Sequence, residues 1–244
     1  MLEHVLNLGN QLKTDLDTSE GFTSVDYQKI VIVGMGGSGV AGDVLKLILN
    51  QYTNIDAEVR KTYNLTKTQI AARPFCLFIS YSGNTEETIS AAKNAIDENL
   101  EWAAISSGGE LLDLATKYNK KFVKVPDGLQ PRAAFGLMTK AVVNYLPNQT
   151  KKIFINACEE AGNYLNNLTE DASNEVFEIS KDIANQIGSK TAVIYAGSDL
   201  TYLVAQRWKT QINENSKSKA YVGFMPEVHH LSLIHISEPT RRLS

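Results

Sequence analysis

The sequence predicts an α/β protein: a doubly wound domain with a parallel five-stranded sheet, followed by the beginning of a second domain of the same kind. Three observations predict this. Short apolar runs alternate with segments of helical spacing, the pattern of a parallel sheet covered on both faces. Turns rich in glycine or hydroxyl groups follow two of those runs. After a polar helical stretch, the same alternation restarts near residue 191.

The elements of the first domain follow one another in a regular order. Apolar residues recur at helical spacing over 2–16, which predicts an amphipathic cover helix. Because proline is favoured in a first helical turn, Pro131 is predicted to begin a helix to about Tyr145. The other helices are predicted from the glycine-rich turn to about Leu49, at 85–98 and at about 109–118. The strands are predicted at 29–33, 57–59, 75–79, 102–105 and 121–125.

We predict four segments along the chain: a first domain at 1–150, a bridge of two helices at 151–188, the start of a second domain at 189–230, and a tail at 231–244. The second domain is predicted to contain strands at 191–195 and 220–223 with a helix from Leu200 to about Asn215 between them. Two parallel strands cannot bury both faces of a sheet, so we expect this domain to be incomplete.

The tail from Leu231 does not continue the strand–helix pattern, and it resembles translated sequencing-adapter read-through. We therefore expect it, His235 included, to have no part in function. A natural short tail is the alternative.

Composition narrows the classes of function. Hydrophobic residues make up 43% of the chain, charged residues 21%, and the net charge is −3. These values are ordinary for a soluble globular protein and give no reason to expect nucleic acid or a membrane as partner. No apolar run is long enough to span a bilayer, and the start lacks the features of a signal peptide. Two cysteines, Cys76 and Cys158, are too few for a disulfide framework, which favours a reducing, cytoplasmic setting.

The most informative run is Ser80-Tyr-Ser-Gly-Asn-Thr-Glu-Glu-Thr88, called the hydroxyl-rich turn below. It lies where a buried strand at 75–79 leads into a helix. Such a turn presents free backbone N–H groups and the positive end of a helix, which suits an anion such as phosphate. The alternative is that Ser82 or Asn84 only caps the helix, with help from Glu87. One cap would explain one of these side chains but not the whole set of hydroxyls.

A glycine-rich turn, Gly34–Gly39, follows the first strand and matches the GxGxxG pattern of dinucleotide-binding proteins. Asp56 or Glu58 could supply the acidic residue that such a site needs about 20 positions later. An NAD-dependent enzyme is therefore an alternative. A P-loop is excluded, because no Gly-Lys-Ser/Thr follows. A Rossmann site does not require the hydroxyls of the second turn, whereas a phosphate held by side chains does.

Together, GMGGSG after a strand and ISYSGNTEET resemble the sugar isomerase (SIS) domain of phosphosugar-binding proteins. Three later segments narrow the resemblance: Gln130-Pro-Arg-Ala-Ala, the stretch from Arg207 through Glu214 to Lys217, and Pro226-Glu-Val-His-His230. With these, the chain from about residue 10 to His230 resembles the bifunctional phosphoglucose/phosphomannose isomerase family. The resemblance implies two SIS domains, the second truncated here.

The resemblance also implies a mechanism and its residues. Aldose–ketose isomerisation moves a proton between C1 and C2 through an enediolate, without a cofactor or metal, and needs a base, a cation and a group that opens the ring. Glu214 is the implied base, Arg132 the cation, and His230 the ring-opening group. In such families this histidine often reaches the partner subunit's site, which implies a homodimer. The implied phosphate ligands are Gly36, Gly37, Ser38, Ser80, Ser82 and Thr85.

Helix dipoles give an independent argument for two of these residues. Glu214 is predicted near the C-terminal end of its helix, where the negative dipole end disfavours a charged carboxylate, as suits a base that must take up a proton. Arg132 is predicted in a first helical turn, the wrong end for a cation. Such violations of local rules are expected at functional sites. An exposed glutamate and a surface arginine are the alternatives.

His230 is preferred to His229 by its spacing from Glu227. Metal binding is not expected, since adjacent histidines point in different directions and no third ligand has fitting spacing. A lysine that the family carries near its C-terminus is absent, so we expect this chain to fold poorly and to have little activity.

Three other functions are the alternatives: a non-catalytic SIS protein that senses a sugar phosphate, the NAD-dependent enzyme, and an amino-sugar isomerase. The last is disfavoured, because the chain lacks a nucleophilic N-terminal cysteine and a glutamine-handling domain.

Overall fold

A computed structural model describes residues 2–20, 26–170 and 175–230. The chain divides into two compact units, Met1–Glu178 and Ile179–Ser244. The division falls within the predicted bridge at 151–188. The predicted tail at 231–244, with His235, lies outside the described residues, so its assignment as read-through stays a prediction.

The first unit is built on one sheet, whose strands are β1 (Asp17–Thr18), β2 (Lys29–Gly34), β3 (Asp56–Arg60), β4 (Phe75–Ile79), β5 (Trp102–Ser106) and β6 (Lys121–Lys124). These strands run in the order β1-β6-β5-β4-β2-β3. The five strands β2 to β6 are parallel, in the order typical of flavodoxin-like doubly wound folds. The predicted fold class is therefore confirmed. The five parallel strands are those predicted, and the sheet gains one strand that was not predicted, β1, which pairs antiparallel with β6; its two residues are too few to give a strand pattern.

The helices of the first unit differ from the predicted ones at three places. The predicted cover helix at 2–16 is two short helices, a 3₁₀ turn (Pro131–Ala133) precedes the helix predicted from Pro131, and a short helix after a Thr66 capping box was not predicted. The helices are α1 (Leu2–Leu6), α2 (Leu8–Lys13), α3 (Gly36–Tyr52), α4 (Lys67–Ala71), α5 (Glu86–Asp97), α6 (Gly109–Lys117), α7 (Phe135–Val143) and α8 (Asn148–Glu170).

Both faces of the central strands are buried, which explains their unbroken apolar sequences. Successive side chains of a strand point to opposite faces. In β4, Leu77 and Ile79 pack into the core on one face, whereas Cys76 and Phe78 pack into the core on the other. The sheet thus forms the rigid base on which the turns at its carboxyl edge are held.

The second unit contains a two-stranded parallel sheet. One face of that sheet carries large exposed side chains: Val193, Tyr195 and Tyr221 are 52%, 46% and 56% exposed. In the described part of the chain, no helix is both long and apolar enough to cross a membrane. The elements here are α9 (Glu175–Ile187), which begins in the first unit, β7 (Ala192–Ala196), α10 (Asp199–Gln211), a π-helical turn (Ile212–Ser216), β8 (Ala220–Phe224) and α11 (Glu227–His230).

Candidate active site

The two turns singled out in the sequence lie side by side at the carboxyl edge of the first sheet. β2 and β4 are neighbours, and Gly34 pairs with Ile79 at their ends. The chain leaves β2 towards β3 on one side and returns to β4 on the other. This reversal is the topological switch point, where open α/β sheets leave a crevice for ligands. The glycine-rich turn after β2 and the hydroxyl-rich turn after β4 form the two sides of that crevice.

Hydrogen bonds tie the hydroxyl groups of the two turns together. The Tyr81 N–H donates to Ser38 Oγ (3.1 Å), which links one turn to the other. Ser80 Oγ lies 2.8 Å from Thr85 Oγ1 and accepts from the Gly83 N–H (3.1 Å). Ser38 and Ser80 are buried, and Thr85 is half-buried. The structure therefore brings three of the predicted phosphate ligands into one cluster.

Ser82 lies in the same turn but is exposed, and its Oγ accepts from the Asn84 N–H (3.3 Å). The interpretation that Ser82 or Asn84 caps α5 is wrong. Thr85 holds the N-cap position of α5, and Asn84 Oδ1 instead accepts from the Glu110 N–H at the start of α6 (3.0 Å).

Two helix N-termini at this edge have no side-chain cap among the described residues. The N-cap residue of α3 is Met35, which has no side-chain acceptor suited to the role, and the Thr85 hydroxyl of α5 is engaged with Ser80. The first-turn amides are thereby left for a bound anion. Glu86 and Glu87 in the first turn of α5 compete with an anion for that helix dipole, whereas α3 has no acid in its first turn. The N-terminus of α3 is therefore the more favourable one for phosphate.

Glycines allow the turns to approach their neighbours closely. A Cβ at Gly37 would lie 3.2 Å from Pro131 O and 4.0 Å from Arg132 Cα, so the first turn of α3 lies against the segment that carries Arg132. Gly83 has φ +70°, and a Cβ there would lie only 1.7 Å from Gly108 O. Gly36, the first residue of α3, is exposed.

The turn after β5 stabilises the hydroxyl-rich turn through hydrogen bonds. Ser107 Oγ donates to Tyr81 O (2.6 Å), and the Ser107 N–H donates to the same oxygen (2.9 Å). Ser106 Oγ donates to Gly108 O (2.7 Å) and so holds its own turn in place. These two serines were not predicted as part of the site, although a Ser-Ser-Gly-Gly turn directly after a strand is a signal that the sequence does contain.

Arg132 is half-buried in the 3₁₀ turn before α7. The prediction that it occupies the first turn of an α-helix is therefore wrong, and the dipole argument for it does not apply. Its place beside the first turn of α3 is independent of that argument.

Tyr81 connects the hydroxyl-rich turn with residues 126–129, which lead into the 3₁₀ turn that carries Arg132. The Tyr81 hydroxyl donates to Pro126 O (3.0 Å) and accepts from the Leu129 N–H (3.0 Å). Burial raises the pKa of the Tyr81 phenol, which favours the protonated donor.

The predicted base and ring-opening residue belong to the second unit. Glu214 is half-buried in the π-helical turn that ends α10, a kind of distortion common at functional sites. It lies at the C-terminal end of a helix, as predicted. Burial lowers the pKa of Arg207, and the negative charge of Glu214 opposes that effect, so the two charges interact. His230 is exposed at the end of α11, next to the exposed His229, so the preference for His230 stays a prediction.

Three further residues at or near the site were missed. Tyr81 is a buried aromatic residue inside a polar turn, and Gln11 is a buried amide on the apolar face of α2; both patterns are visible in the sequence. Arg60 ends β3 beside β2, and its Nε is buried without a hydrogen-bond partner among the described residues. An arginine that ends a strand carries no comparable signal.

The acids proposed for an NAD site lie in the wrong places. Asp56 begins β3, at the amino edge of the sheet, where it pairs with Lys29 (2.9 Å). Glu58 lies in the middle of β3 and accepts from Gln69 Nε2 (2.6 Å). An acid that binds ribose must lie at the carboxyl end of this strand, next to the glycine-rich turn. Within the described ranges, no group of three or more His, Cys, Asp or Glu side chains could hold a metal ion.

Two protein-family models match the chain. The SIS domain matches residues 25–118, which include both turns of the crevice. The bacterial phospho-glucose isomerase C-terminal SIS domain matches residues 178–244. The predicted resemblance to SIS domains is confirmed.

Similar proteins agree with these matches. Bifunctional phosphoglucose/phosphomannose isomerases of Caldicellulosiruptor bescii and Aquifex aeolicus are 32% and 37% identical over 98% and 88% of this chain. The chain spans 73% and 64% of their lengths. A D-glucosamine-6-phosphate 4-epimerase of Sulfolobus acidocaldarius is 32% identical over 83% of the chain and 62% of its own length. A putative sugar-binding protein of Salmonella typhimurium shares the fold, with a TM-score of 0.65 at 15% identity over 97% of this chain and 76% of that one.

Proposed function

The chain belongs to the bifunctional phosphoglucose/phosphomannose isomerase family, and we propose that it interconverts glucose 6-phosphate or mannose 6-phosphate with fructose 6-phosphate. One observation carries the proposal: the hydroxyls of Ser38, Ser80 and Thr85 meet at the switch point between two uncapped helix N-termini. This arrangement suits a phosphate dianion. The segment that carries Arg132 lies against the same turn, which leaves a cation near the sugar that the phosphate would anchor.

The reaction is a proton transfer within the sugar. A base removes the proton from C2 of the open-chain aldose, and the electron pair of that bond forms the C1=C2 double bond while the carbonyl oxygen becomes an oxyanion. A proton then moves from O2 to O1, the C1=C2 electron pair takes up the proton at C1, and C2 becomes the carbonyl carbon of the ketose, so no atom is gained or lost. The chain must therefore supply a base and a positive charge for the oxyanion. We assign these roles to Glu214 and Arg132, and the opening of the sugar ring to His230.

Steady-state turnover tests the proposal. In keeping with the little activity that the sequence predicts for this chain, slow but measurable conversion of fructose 6-phosphate to an aldose 6-phosphate is expected, measured by coupling the product to a dehydrogenase. Glu214→Gln keeps the size of the side chain and removes the base, so kcat is expected to fall about 10²- to 10⁴-fold. Glu175→Gln, at an exposed position in the first turn of α9, is the matched control and should leave kcat unchanged. Wild-type turnover in Glu214→Gln would overturn the assignment of the base.

Ligand binding separates an enzyme from a non-catalytic sensor. An isomerase with Glu214→Gln should still bind sorbitol 6-phosphate, because the phosphate ligands are unchanged, while its turnover is lost. A sensor would bind the same ligand but show no turnover even in the unmodified chain. A thermal-shift comparison of NAD with glucose 6-phosphate tests the NAD alternative, for which we expect no stabilisation by NAD.

A second candidate function is epimerisation at C4 of an amino-sugar phosphate. It is favoured by one observation, the similarity to the epimerase of Sulfolobus acidocaldarius. Incubation in D₂O distinguishes the two reactions. An isomerase places deuterium at C1 of fructose 6-phosphate and at C2 of the aldose 6-phosphate, whereas an epimerase converts glucosamine 6-phosphate to its C4 epimer, and both outcomes are read by NMR.

We further propose a homodimer in which His230 of one copy reaches the other copy's site, and a cytoplasmic location. The first is tested by light scattering after size-exclusion chromatography, where a monomer with full turnover would contradict it. The second accords with Cys76 and Cys158, which are both buried free thiols.

A further inference from the structure

Gln11 is a buried polar residue that the proposed mechanism does not use. It lies in the middle of α2, a helix of six residues, and is only 3% exposed. Its neighbour Leu12 contributes to the main core. A buried amide at such a position costs free energy unless its polar atoms are hydrogen-bonded.

Both polar atoms of the Gln11 amide bind a segment more than 120 positions away. Its Nε2 donates to Ala133 O (2.9 Å), and its Oε1 accepts from the Gly136 and Leu137 N–H groups (3.0 and 3.3 Å). These partners fix the orientation of the amide, because only the oxygen can accept from two N–H groups and only the nitrogen can donate to a carbonyl.

Through these hydrogen bonds, a residue of α2 caps the N-terminus of α7. Gly136 and Leu137 lie in the first turn of α7, whose own N-cap residue is Ala134, which has no polar side chain. A Cβ at Gly136 would lie 2.6 Å from Gln11 Cβ, so the glycine makes room for the amide. Gln11 thus supplies the cap that α7 lacks, and through Ala133 it also holds the last residue of the 3₁₀ turn.

We propose that Gln11 is a positioning residue that sets the place of Arg132. Arg132 directly precedes Ala133 in the 3₁₀ turn, and the turn lies between two fixed neighbours. On one side, Pro131 O contacts the first turn of α3 at Gly37; on the other, Gln11 binds Ala133 O. A shift of this turn would move the Arg132 guanidinium relative to the phosphate ligands without changing those ligands.

The inference rests on the proposed function, and Gln11→Met tests it. Methionine has a similar length and removes all three hydrogen bonds. We expect kcat for fructose 6-phosphate to fall about ten- to a hundredfold, since small displacements of a reacting group have effects of this size. Binding of sorbitol 6-phosphate should stay within about threefold, because the phosphate ligands are unchanged. Asn10→Ala is the control: it lies at an exposed position of α2, removes only the hydrogen bonds with Asn7 and with Asn166 of α8, and should have wild-type kcat.

Gln11→Glu is the conservative variant. It keeps the acceptor for the two N–H groups at the start of α7, where a negative charge is also stabilised, but it replaces the donor to Ala133 O with a carboxylate oxygen. We expect it to recover part of kcat, which a loss of stability alone would not explain. It also serves as the test variant if Gln11→Met does not fold.

Three results are decisive. A folded Gln11→Met chain with wild-type kcat overturns the inference, as does an equal loss of kcat and of sorbitol 6-phosphate affinity. If the unmodified chain has no turnover, the proposed function fails instead. The placement of the turn by Gln11 is then measured by amide exchange at Gly136 and Leu137, and exchange that Gln11→Met leaves unchanged overturns it.

Discussion

Each unit contains a parallel strand that leads through a glycine–serine turn into a helix, but the two turns use their hydroxyl groups differently. In the second unit, Ser198 caps its own helix: Ser198 Oγ accepts from the Thr201 N–H (3.3 Å), and Thr201 Oγ1 accepts from the Ser198 N–H (2.9 Å). In the first unit, Ser80 and Thr85 bond each other, and α5 receives no side-chain cap from any described residue.

The difference supports the proposal that the turn of the first unit binds the phosphate. A capping box satisfies the orphan amides of a helix internally and leaves little for an anion to bind. Hydroxyls that bond each other beside uncapped amides retain donors that a phosphate can use. The same strand–turn–helix order therefore has a structural use in the second unit and suits binding in the first.

The largest expected effect comes from adding one methyl group to the turn of the first unit. Gly83→Ala puts a Cβ 1.7 Å from Gly108 O at a residue with φ +70°, so the turn cannot keep its shape. We expect the free energy of unfolding to fall by about 3 kcal/mol or more, measured by urea denaturation.

Gly197→Ala in the second unit is the matched control. No atom of the described residues lies within 4 Å of a Cβ at this position, so we expect a change below about 0.5 kcal/mol. Equal losses in the two variants would contradict the view that only the first turn is under tight steric constraint.

A second prediction uses alkaline pH. Burial raises the pKa of the Cys76 thiol to about 12 and raises the pKa values of the Tyr27 and Tyr145 phenols; all three groups lie in the first unit. A group whose folded pKa is raised contributes its full stability below its unfolded pKa, near 9 for a thiol, and loses it as pH rises towards the folded value. From pH 8 to 10.5, Cys76 alone should lower the free energy of unfolding by about 2 kcal/mol.

Hydrogen exchange resolved by unit, measured at both pH values, tests this effect in the first unit. Cys76→Val is the control, because it keeps the buried strand apolar and removes the titrating thiol. A Cys76→Val chain with the same alkaline loss as the wild type would show that the thiol does not contribute.

The third prediction concerns ligand affinity. Ser80→Ala removes a hydroxyl that is 1% exposed and bonds both Thr85 Oγ1 and the Gly83 N–H. We expect the Kd for sorbitol 6-phosphate to rise about tenfold, corresponding to one lost hydrogen bond to a charged group. Isothermal titration calorimetry measures it, and an unchanged Kd would place the phosphate elsewhere.

The fold was largely predictable because its signals are local. Unbroken apolar runs predict the buried strands, and the residues that predict the hydroxyl-rich turn all lie within nine consecutive positions. The features that were not predicted depend on contacts between residues that are distant in sequence. Nothing near Asp17 indicates that it pairs with Lys124, and nothing near Arg132 indicates that Gln11 caps the following helix. The capping interpretation of Asn84 failed for the same reason, since its side chain bonds a different helix.

The smallest expected effect tests the second turn. Ser198→Ala removes the capping acceptor of α10 and should lower stability by about 1 kcal/mol, the usual cost of losing a serine cap. Urea denaturation measures this loss, and Ser198→Asp, which restores a capping acceptor, should reverse most of it. Because this turn already satisfies its own helix, Ser198→Ala should leave the Kd for sorbitol 6-phosphate unchanged. A weakened Kd in this variant would mean that the second turn also contributes to binding, and the contrast between the two turns would then be lost.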